Sequence, residues 1–356
     1  MKIIIDPRMG YRYETYYIEG FRRLYGRNAI HFDIRPFEHL SIANIYQYNK
    51  GMPLLLDEDK EITKVFLDLD DGASIDESRY EWCDVYGKVN PEIDVQKNFS
   101  KMIVLGPEFG IKIDNGIKSA FWGIKNYLKS QGKTPISLPI MMRGYLYPQL
   151  RREKLSLYEQ PIAVKNNYVF HASTLWYSES TVAKTNRYRG DFLKACKKLG
   201  LDIEGGLFFV DNPLATKECP DYPKYKDIYK DFIYDQRLSM KDYIKKTKES
   251  VVVFNTPSVS DCHGWKLGEY LCMGKAIVST PLSRDLPGGG LIHGESIHIV
   301  NSTDDIEDAI SQIVHDTAYR MKLEKNARKY YEDFTSPEAQ CKRLIDFAKH
   351  IKQKKA

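Results

Sequence analysis

A chain of 356 residues with 42% hydrophobic and 28% charged composition, both charge signs mixed throughout, is a folded protein of about two domains rather than a disordered one. Its net charge of +5 suits anionic small ligands or an anionic membrane surface and does not call for nucleic acid. The six cysteines are scattered and form no CxxC pair, so neither a zinc cluster nor a disulfide framework is indicated, and a reducing compartment fits. The start, MKIIIDPRMG, turns polar too early for a signal peptide, and no apolar run approaches the ~18 residues of a spanning helix. The expectation is a cytoplasmic protein, with peripheral contact at the inner membrane face as an option.

In chain order, short apolar runs at Lys2 to Ile5, Ile30 to Ile34, Lys64 to Leu69, Asp84 to Val89 and Met102 to Leu105 read as buried strands. Between the first two, Tyr13 to Tyr25 has helical spacing, and the alternation predicts a parallel sheet covered by helices. Helical patterns follow at Ile117 to Lys129 and Met142 to Glu159, and a linker at Pro161 to Asn167. The rhythm then restarts: strand Tyr168 to His171, helix Tyr188 to Leu199, strand Gly206 to Val210, and a polar, tyrosine-rich loop. Next come helix Met240 to Glu249, strand Val251 to Asn255, helix Trp265 to Met273 closed by Gly274, and strands Ala276 to Thr280 and Ile297 to Val300. The remainder, from Asp304 to Ile351, is helical by period. The expected fold is α/β, with two Rossmann-like domains facing each other across a cleft: residues 1–160, residues 161–335, and a terminal helix over 336–356 that packs back on the first domain. In such sheets ligands bind beyond the carboxyl ends of the strands.

Chemistry concentrates in DCHGWKLGEYLCMGKAIVST, Asp261 to Thr280. A helix starting after Gly264 offers unpaired amides and a partial positive charge to a diphosphate, and the glycine permits close backbone approach. Asp261 before the helix and Glu269 within it are acceptors for sugar hydroxyls, while Lys266 neutralises a phosphate or pairs with Glu269.

Asp261, seven residues, Glu269 and then YLCMGKAIV resemble the signature of the group 1 glycosyltransferases, which is an acidic residue, seven residues, a glutamate and a small-residue stretch ending GKPVI. Lys266, Leu267, Glu269, Tyr270, Gly274 and Lys275 match the variant KLxEYxxxGKPIV, and the likeness continues through SRDLPGG, IHIVNSTDDIEDAI and NARKYYEDF. It spans roughly residues 165 to 345. The resemblance implies a retaining, metal-independent enzyme of GT-B fold that uses a nucleotide-diphosphate sugar, UDP- or GDP-linked, and no further cofactor. Glu269 would hold the ribose hydroxyls and Asp261 would stand nearest the transferred sugar. His263 and Trp265 replace the usual small residues, and His263 joins Asp261 as a catalytic candidate. The cations that grip the diphosphate would come from VAKTNRYRG, where Lys184, Arg187 and Arg189 remain open choices, with Arg237 a further donor-side candidate.

In the first half, Asp68 to Asp71 has the D-x-D spacing of metal-dependent transferases, but as the end of a strand it fits better as a source of an acceptor base at Asp70 or Asp71. The loop DPRMGYRYETY brings Arg8, Gly10, Tyr11, Arg12 and Glu14 to the cleft side, and Glu108 after the Met102 strand is another possible base. No GxGxxG, P-loop or GxSxG occurs, so dinucleotide oxidoreductase, nucleoside triphosphatase and serine hydrolase readings lack their defining loops. The expected activity is transfer of a sugar to a saccharide or lipid-linked acceptor in bacterial surface polysaccharide synthesis. The rivals are an inverting enzyme with its base in the first domain and a non-catalytic nucleotide- or glycan-binding protein.

Overall fold

The computed structural model describes residues 1–41, 51–177 and 179–355, and the backbone alone at 179–184, 259 and 355. The chain divides into two compact units, Met1–Leu155 with Asp285–Gly288 and Asp333–Ala356, and Ser156–Arg284 with Gly289–Glu332. Both are α/β, as the alternation of elements predicts.

The sheet of unit 1 is built from β1 (Lys2–Ile5), β2 (Ile30–Phe32), β3 (Gly51–Glu58), β4 (Glu61–Asp68), β5 (Val85–Val89) and β6 (Met102–Leu105), in the order β2-β1-β3-β4-β5-β6. It is not fully parallel. β3 pairs antiparallel with both β1 and β4, and the other neighbours are parallel. The cause is a two-residue hairpin in which Asp59 and Lys60 both adopt positive φ, 53° and 74°, the geometry of a type I′ turn. That turn normally announces itself with glycine or asparagine, and β3 contains Pro53, so pattern reading passes over the strand. One antiparallel strand still leaves β1, β4, β5 and β6 pointing the same way, so their following loops lie along one edge.

Helix α1 (Glu14–Tyr25) returns the chain from β1 to β2, and α2 (Glu77–Trp82) leads into β5. Then α3 (Gly116–Lys129) packs on α4 (Leu138–Arg151), which ends before a short α5 (Leu155–Glu159). The continuous pattern from Met142 to Glu159 is thus two helices.

Unit 2 pairs β7 (Tyr168–Thr174) with β8 (Asp202–Phe208), and β9 (Val253–Asn255) with β10 (Ile277–Ser279) and β11 (His298–Ile299), all in parallel. Its helices include α6 (Glu179–Lys198), α7 (Pro213–Glu218), α8 (Tyr222–Ile228), α9 (Met240–Glu249), α10 (Trp265–Met273), α11 (Ile306–His315) and α12 (Thr317–Tyr330). The tyrosine-rich segment expected as loop contains α7 and α8: Asn212 caps α7 through the Leu214 amide, and Tyr222 is buried in a stack with Phe209 at 4.7 Å. Tyr222 and Tyr229 are core, while Tyr225 and Tyr234 are half-buried. Gly274 closes α10 in the left-handed conformation, φ 61°.

The last helix, α13 (Pro337–Lys355), belongs to unit 1 and lies on α1. The crossing is closest at Gly20, where a Cβ would meet the Pro337 carbonyl oxygen at 2.2 Å and Cys341 Sγ at 2.6 Å. Tyr16 also donates to the Thr335 carbonyl at 2.7 Å, and Gln340 accepts the Gly106 amide at 2.9 Å. Alanine favours an exposed helix by ~1 kcal/mol over glycine. Here the backbone clash outweighs that gain, so Gly20→Ala is expected to destabilise by ~1 to 3 kcal/mol. Urea unfolding measures it, and a stabilised variant would refute the close crossing.

Candidate functional site

The functional side chains of unit 2 gather where β7 and β9 end and α10 begins. Arg189, on the buried side of α6, joins the two strand ends: Nε donates to Thr256 Oγ1 at 3.0 Å and Nη1 to the Thr174 carbonyl at 2.6 Å. It is 7% exposed and meets no carboxylate among the described residues. Burial lowers its pKa to about 10, which leaves it charged at neutral pH.

Lys266 sits in the first turn of α10. Its Nζ donates to the Ala172 carbonyl and to Ser173 Oγ at 2.9 Å. Burial, then the Arg189 charge, brings its pKa down to about 7, with Glu269 opposing. Glu269, one turn on, is 1% exposed and accepts the Tyr243 hydroxyl from α9 at 2.9 Å. His171, in the middle of β7, lies close enough to Lys266 and Arg189 for both to hold its pKa down after burial, and its Nε2 is buried with no hydrogen-bond partner.

The backbone completes the arrangement. Gly264 is the N-cap of α10 and no side chain caps the helix. Its φ of −69° suits any residue, and a Cβ there would touch only Ser258 Cβ at 3.6 Å. The protein's own packing therefore does not require glycine, which leaves the helix amides open to a ligand. Trp265 beside it is 40% exposed.

Arg189, Lys266, Glu269 and Gly264 thus converge, and other expected residues do not. Asp261 is exposed, has a left-handed φ of 56° following Ser260 at 57°, and stands outside the helix cap. Its loop is braced: Ser283 Oγ donates to the Asp261 carbonyl at 2.5 Å and Arg284 Nη2 to the Ser260 carbonyl at 2.5 Å. His263 is part of that brace, its Nε2 donating to the Arg284 carbonyl at 3.0 Å. Burial lowers its pKa to about 4, so the ring stays neutral and does not exchange protons near pH 7, contrary to the catalytic expectation. Arg187 points outward, donating to Thr303 Oγ1 at 3.2 Å and pairing with Asp191 at 3.5 Å. Arg237 is exposed in the loop before α9, and the Lys184 side chain lies outside the described residues.

In unit 1 the loops after β1, β4 and β6 bring Glu14, Asp71 and Glu108 within electrostatic reach of each other. Burial pushes Glu108 up to about 8, with Asp71 and Glu14 adding to the rise and its own amide and Lys88 opposing it. Glu14 is also raised by burial, although its Oε2 accepts the Arg12 amide at 2.9 Å. Asp68 is consumed internally by Tyr86 Oη at 2.5 Å, Lys88 Nζ at 3.1 Å and the Asp70 amide at 3.0 Å, and Asp70 accepts the Gly72 amide at 2.7 Å. Among the described residues no group of acidic, histidine or cysteine side chains is placed to hold a metal.

Arg8 is a correction. It is buried against Asp6, Nη2 to Oδ2 at 2.7 Å, and also donates to the Phe37 carbonyl at 2.5 Å and the Lys133 carbonyl at 3.1 Å. It pins the loop rather than reaching a ligand. Tyr11 is likewise core, its ring 4.5 Å from Tyr145, and Gly10 is buried beside it, while Arg12 remains exposed.

His171, Tyr243 and Thr256 escape sequence reading. His171 carries one signal, a polar residue inside the apolar strand VFHAST, whereas Tyr243 joins Glu269 only through the packing of α9 on α10.

A carboxyl whose pKa is raised by folding stabilises the native state below its ordinary pKa, here 4.5, and loses that contribution as pH rises through about 8. Glu108→Gln should therefore flatten the decline of urea stability across that interval. An unchanged pH slope would mean that Glu108 is not buried as a neutral acid.

No protein-family model matches the chain, and no curated protein matches it. Among solved structures it is similar to a glycosyltransferase from Rickettsia africae ESF-5, at 13% identity over 79% of this chain and 68% of that one, with a TM-score of 0.40. It is also similar to Anabaena HepE in complex with UDP and glucose, at 12% identity over 82% and 70% of the two chains and a TM-score of 0.40. A third is sucrose-phosphate synthase from Thermosynechococcus elongatus, at 14% identity over 96% and 79% and a TM-score of 0.40. These values identify no residue of this chain.

Proposed function

We propose that the protein is a metal-independent glycosyltransferase in which unit 2 binds a nucleoside-diphosphate sugar and unit 1 binds a saccharide or lipid-linked acceptor, in bacterial surface polysaccharide synthesis at the cytoplasmic side. The observation that carries this reading is the buried Arg189 with the half-buried Lys266, neither in a salt bridge to a carboxylate among the described residues, beside the open amides of α10. A buried charge is costly unless a counter-charge meets it. A diphosphate is such a counter-charge, and Glu269 one turn further along is an acceptor for ribose hydroxyls.

In transfer, the bond between the sugar's anomeric carbon and the diphosphate oxygen breaks as the acceptor oxygen bonds to that carbon, and the acceptor hydroxyl's proton passes to the departing diphosphate. Arg189, Lys266 and the helix amides stabilise the negative charge that grows on the leaving diphosphate, a preorganised substitute for a metal ion. No cofactor beyond the donor is required. Asp261, exposed before the helix, is the candidate nearest the transferred sugar.

One observation favours the inverting alternative: Glu108, with its pKa raised to about 8 in unit 1, becomes a strong base for an acceptor hydroxyl once it ionises, so that this route would speed up as pH rises toward 8. The anomeric configuration of the product, read by proton NMR, decides between the two.

Incubation with UDP-, GDP- and dTDP-sugars should give slow hydrolysis of one donor and a nucleotide-induced rise in melting temperature. Neither effect with any donor would refute the function. With the active nucleotide, Glu269→Ala is expected to weaken binding by ~1.5 to 3 kcal/mol by calorimetry, the loss of a hydrogen bond to a charged group. An unaltered affinity would remove Glu269 from the site.

Lys266 makes a separate prediction. Its pKa of about 7 in the empty site rises when an anion binds, so binding takes up a proton above that pH. Nucleotide affinity should fall by up to about tenfold per pH unit on the alkaline side. Lys266→Met should abolish the slope, and a pH-independent wild type would show that Lys266 does not touch the phosphates.

A further inference from the structure

Helix α3 of unit 1 turns Ser119, Gly123 and Asn126 inward and leaves large apolar side chains outside. Ile117 is 83% exposed, Phe121 56%, Ile124 47% and Leu128 61%. Their spacing of four, three and four residues places them on one helix face. The face continues onto α4. Gly123 packs against Met142 and Tyr145, and Leu150, itself 62% exposed, lies beside Gly116, a residue from Ile117. A contiguous exposed apolar surface of this kind marks an interaction site rather than ordinary surface scatter.

Charge identifies the occupant. From Gly116 to Arg152 there are seven lysines and arginines and no acidic residue, so this segment's charge of +7 exceeds the +5 of the whole chain. The remainder of the protein is net acidic. Lys133 pairs with Glu38 at 3.2 Å and Lys129 donates to the Phe32 carbonyl, while Lys118, Lys125, Arg143 and Arg151 meet no carboxylate among the described residues. The cations lie along the aromatic rings. Lys125 Nζ is 5.5 Å from the Phe121 ring centre and 5.1 Å from Trp122, and the Arg151 guanidinium is 4.1 Å from Tyr147. Long cationic stems flanking exposed Ile, Leu and Phe suit an interface where the apolar groups enter acyl chains and the charges meet lipid phosphates.

We propose that the outer face of α3 and the adjoining end of α4 form a docking surface for an anionic lipid bilayer. A second copy of this chain would bring the same positive segment against itself, which the absence of acidic residues from Gly116 to Arg152 opposes. Among the described residues no helix is long and apolar enough to cross a membrane, so attachment is to the surface.

Flotation of the full chain with vesicles tests this. The wild type should float with phosphatidylcholine vesicles containing phosphatidylglycerol, less with phosphatidylcholine alone, and less as salt rises. Phe121→Asp with Ile124→Asp, and separately Lys118→Glu with Lys125→Glu, should each lower the bound fraction's partition coefficient by about tenfold or more. All four substituted side chains are solvent-facing, so an unchanged melting temperature verifies that the variants are folded. Equal partitioning of wild type and both variants, or no flotation of the wild type, overturns the proposal. So does a dimer in sedimentation velocity that the Phe121 and Ile124 variant dissolves while vesicles are not bound.

Discussion

Arg189 is charged at neutral pH and yet enclosed, with a threonine hydroxyl and a backbone carbonyl as its hydrogen-bond acceptors. Much of unit 2 is arranged around that position. The ends of β7 and β9 are joined through the guanidinium, α10 begins beside them without a cap, and Lys266 enters the same space already stripped of much of its preference for a proton. Two like charges held together in a poorly solvated place repel each other. The folded domain tolerates the arrangement because packing elsewhere supplies its stability, notably a core in which Phe192 stacks on Phe254 at 4.7 Å. In the function proposed here, an incoming anion would relieve that repulsion and gain binding energy from it.

Unit 1 poses the opposite problem at the corresponding strand edge. Glu14 and Glu108 place carboxyls where burial favours the neutral acid, with the Asp71 charge adding to the rise at Glu108, and Lys88 is drawn to Asp68 rather than to them. The same cause, desolvation, thus lowers the pKa of cations in one unit and makes carboxyls of the other hold their protons. Their difference follows from which residue types the loops carry, since both sheets direct the carboxyl ends of parallel strands to those loops.

The apolar face of α3 obeys different physics. A helix in a soluble protein normally spends its hydrophobic stripe on the core. Here the stripe turned inward is made of small residues, Ser119, Gly123 and Asn126, which allows α4 to approach closely and leaves Ile117, Phe121, Ile124 and Leu128 outward. Helical spacing in the sequence foresaw the helix but not which side of it would face outward, because periodicity reports that a face exists and not what covers it.

Local chemistry was legible in the sequence. The open α10 terminus, its closing Gly274, the buried Glu269 and the alternating α/β pattern all depend on residues near one another in the chain, where propensity, capping and periodicity act. What only the tertiary structure decided were relations across long separations. Arg189 rather than Arg187 faces the site because helical rotation sends residues two apart to different sides. His263 braces a loop against Arg284, Arg8 is locked by Asp6 and Phe37, and Tyr243 reaches Glu269 from another helix. The antiparallel β3 was hidden by a turn of two non-glycine residues in left-handed conformation, which only the pairing of the finished sheet holds in place. Burial and partner geometry are collective properties of the packed chain, and it is they that determine which cations and carboxyls remain available for chemistry.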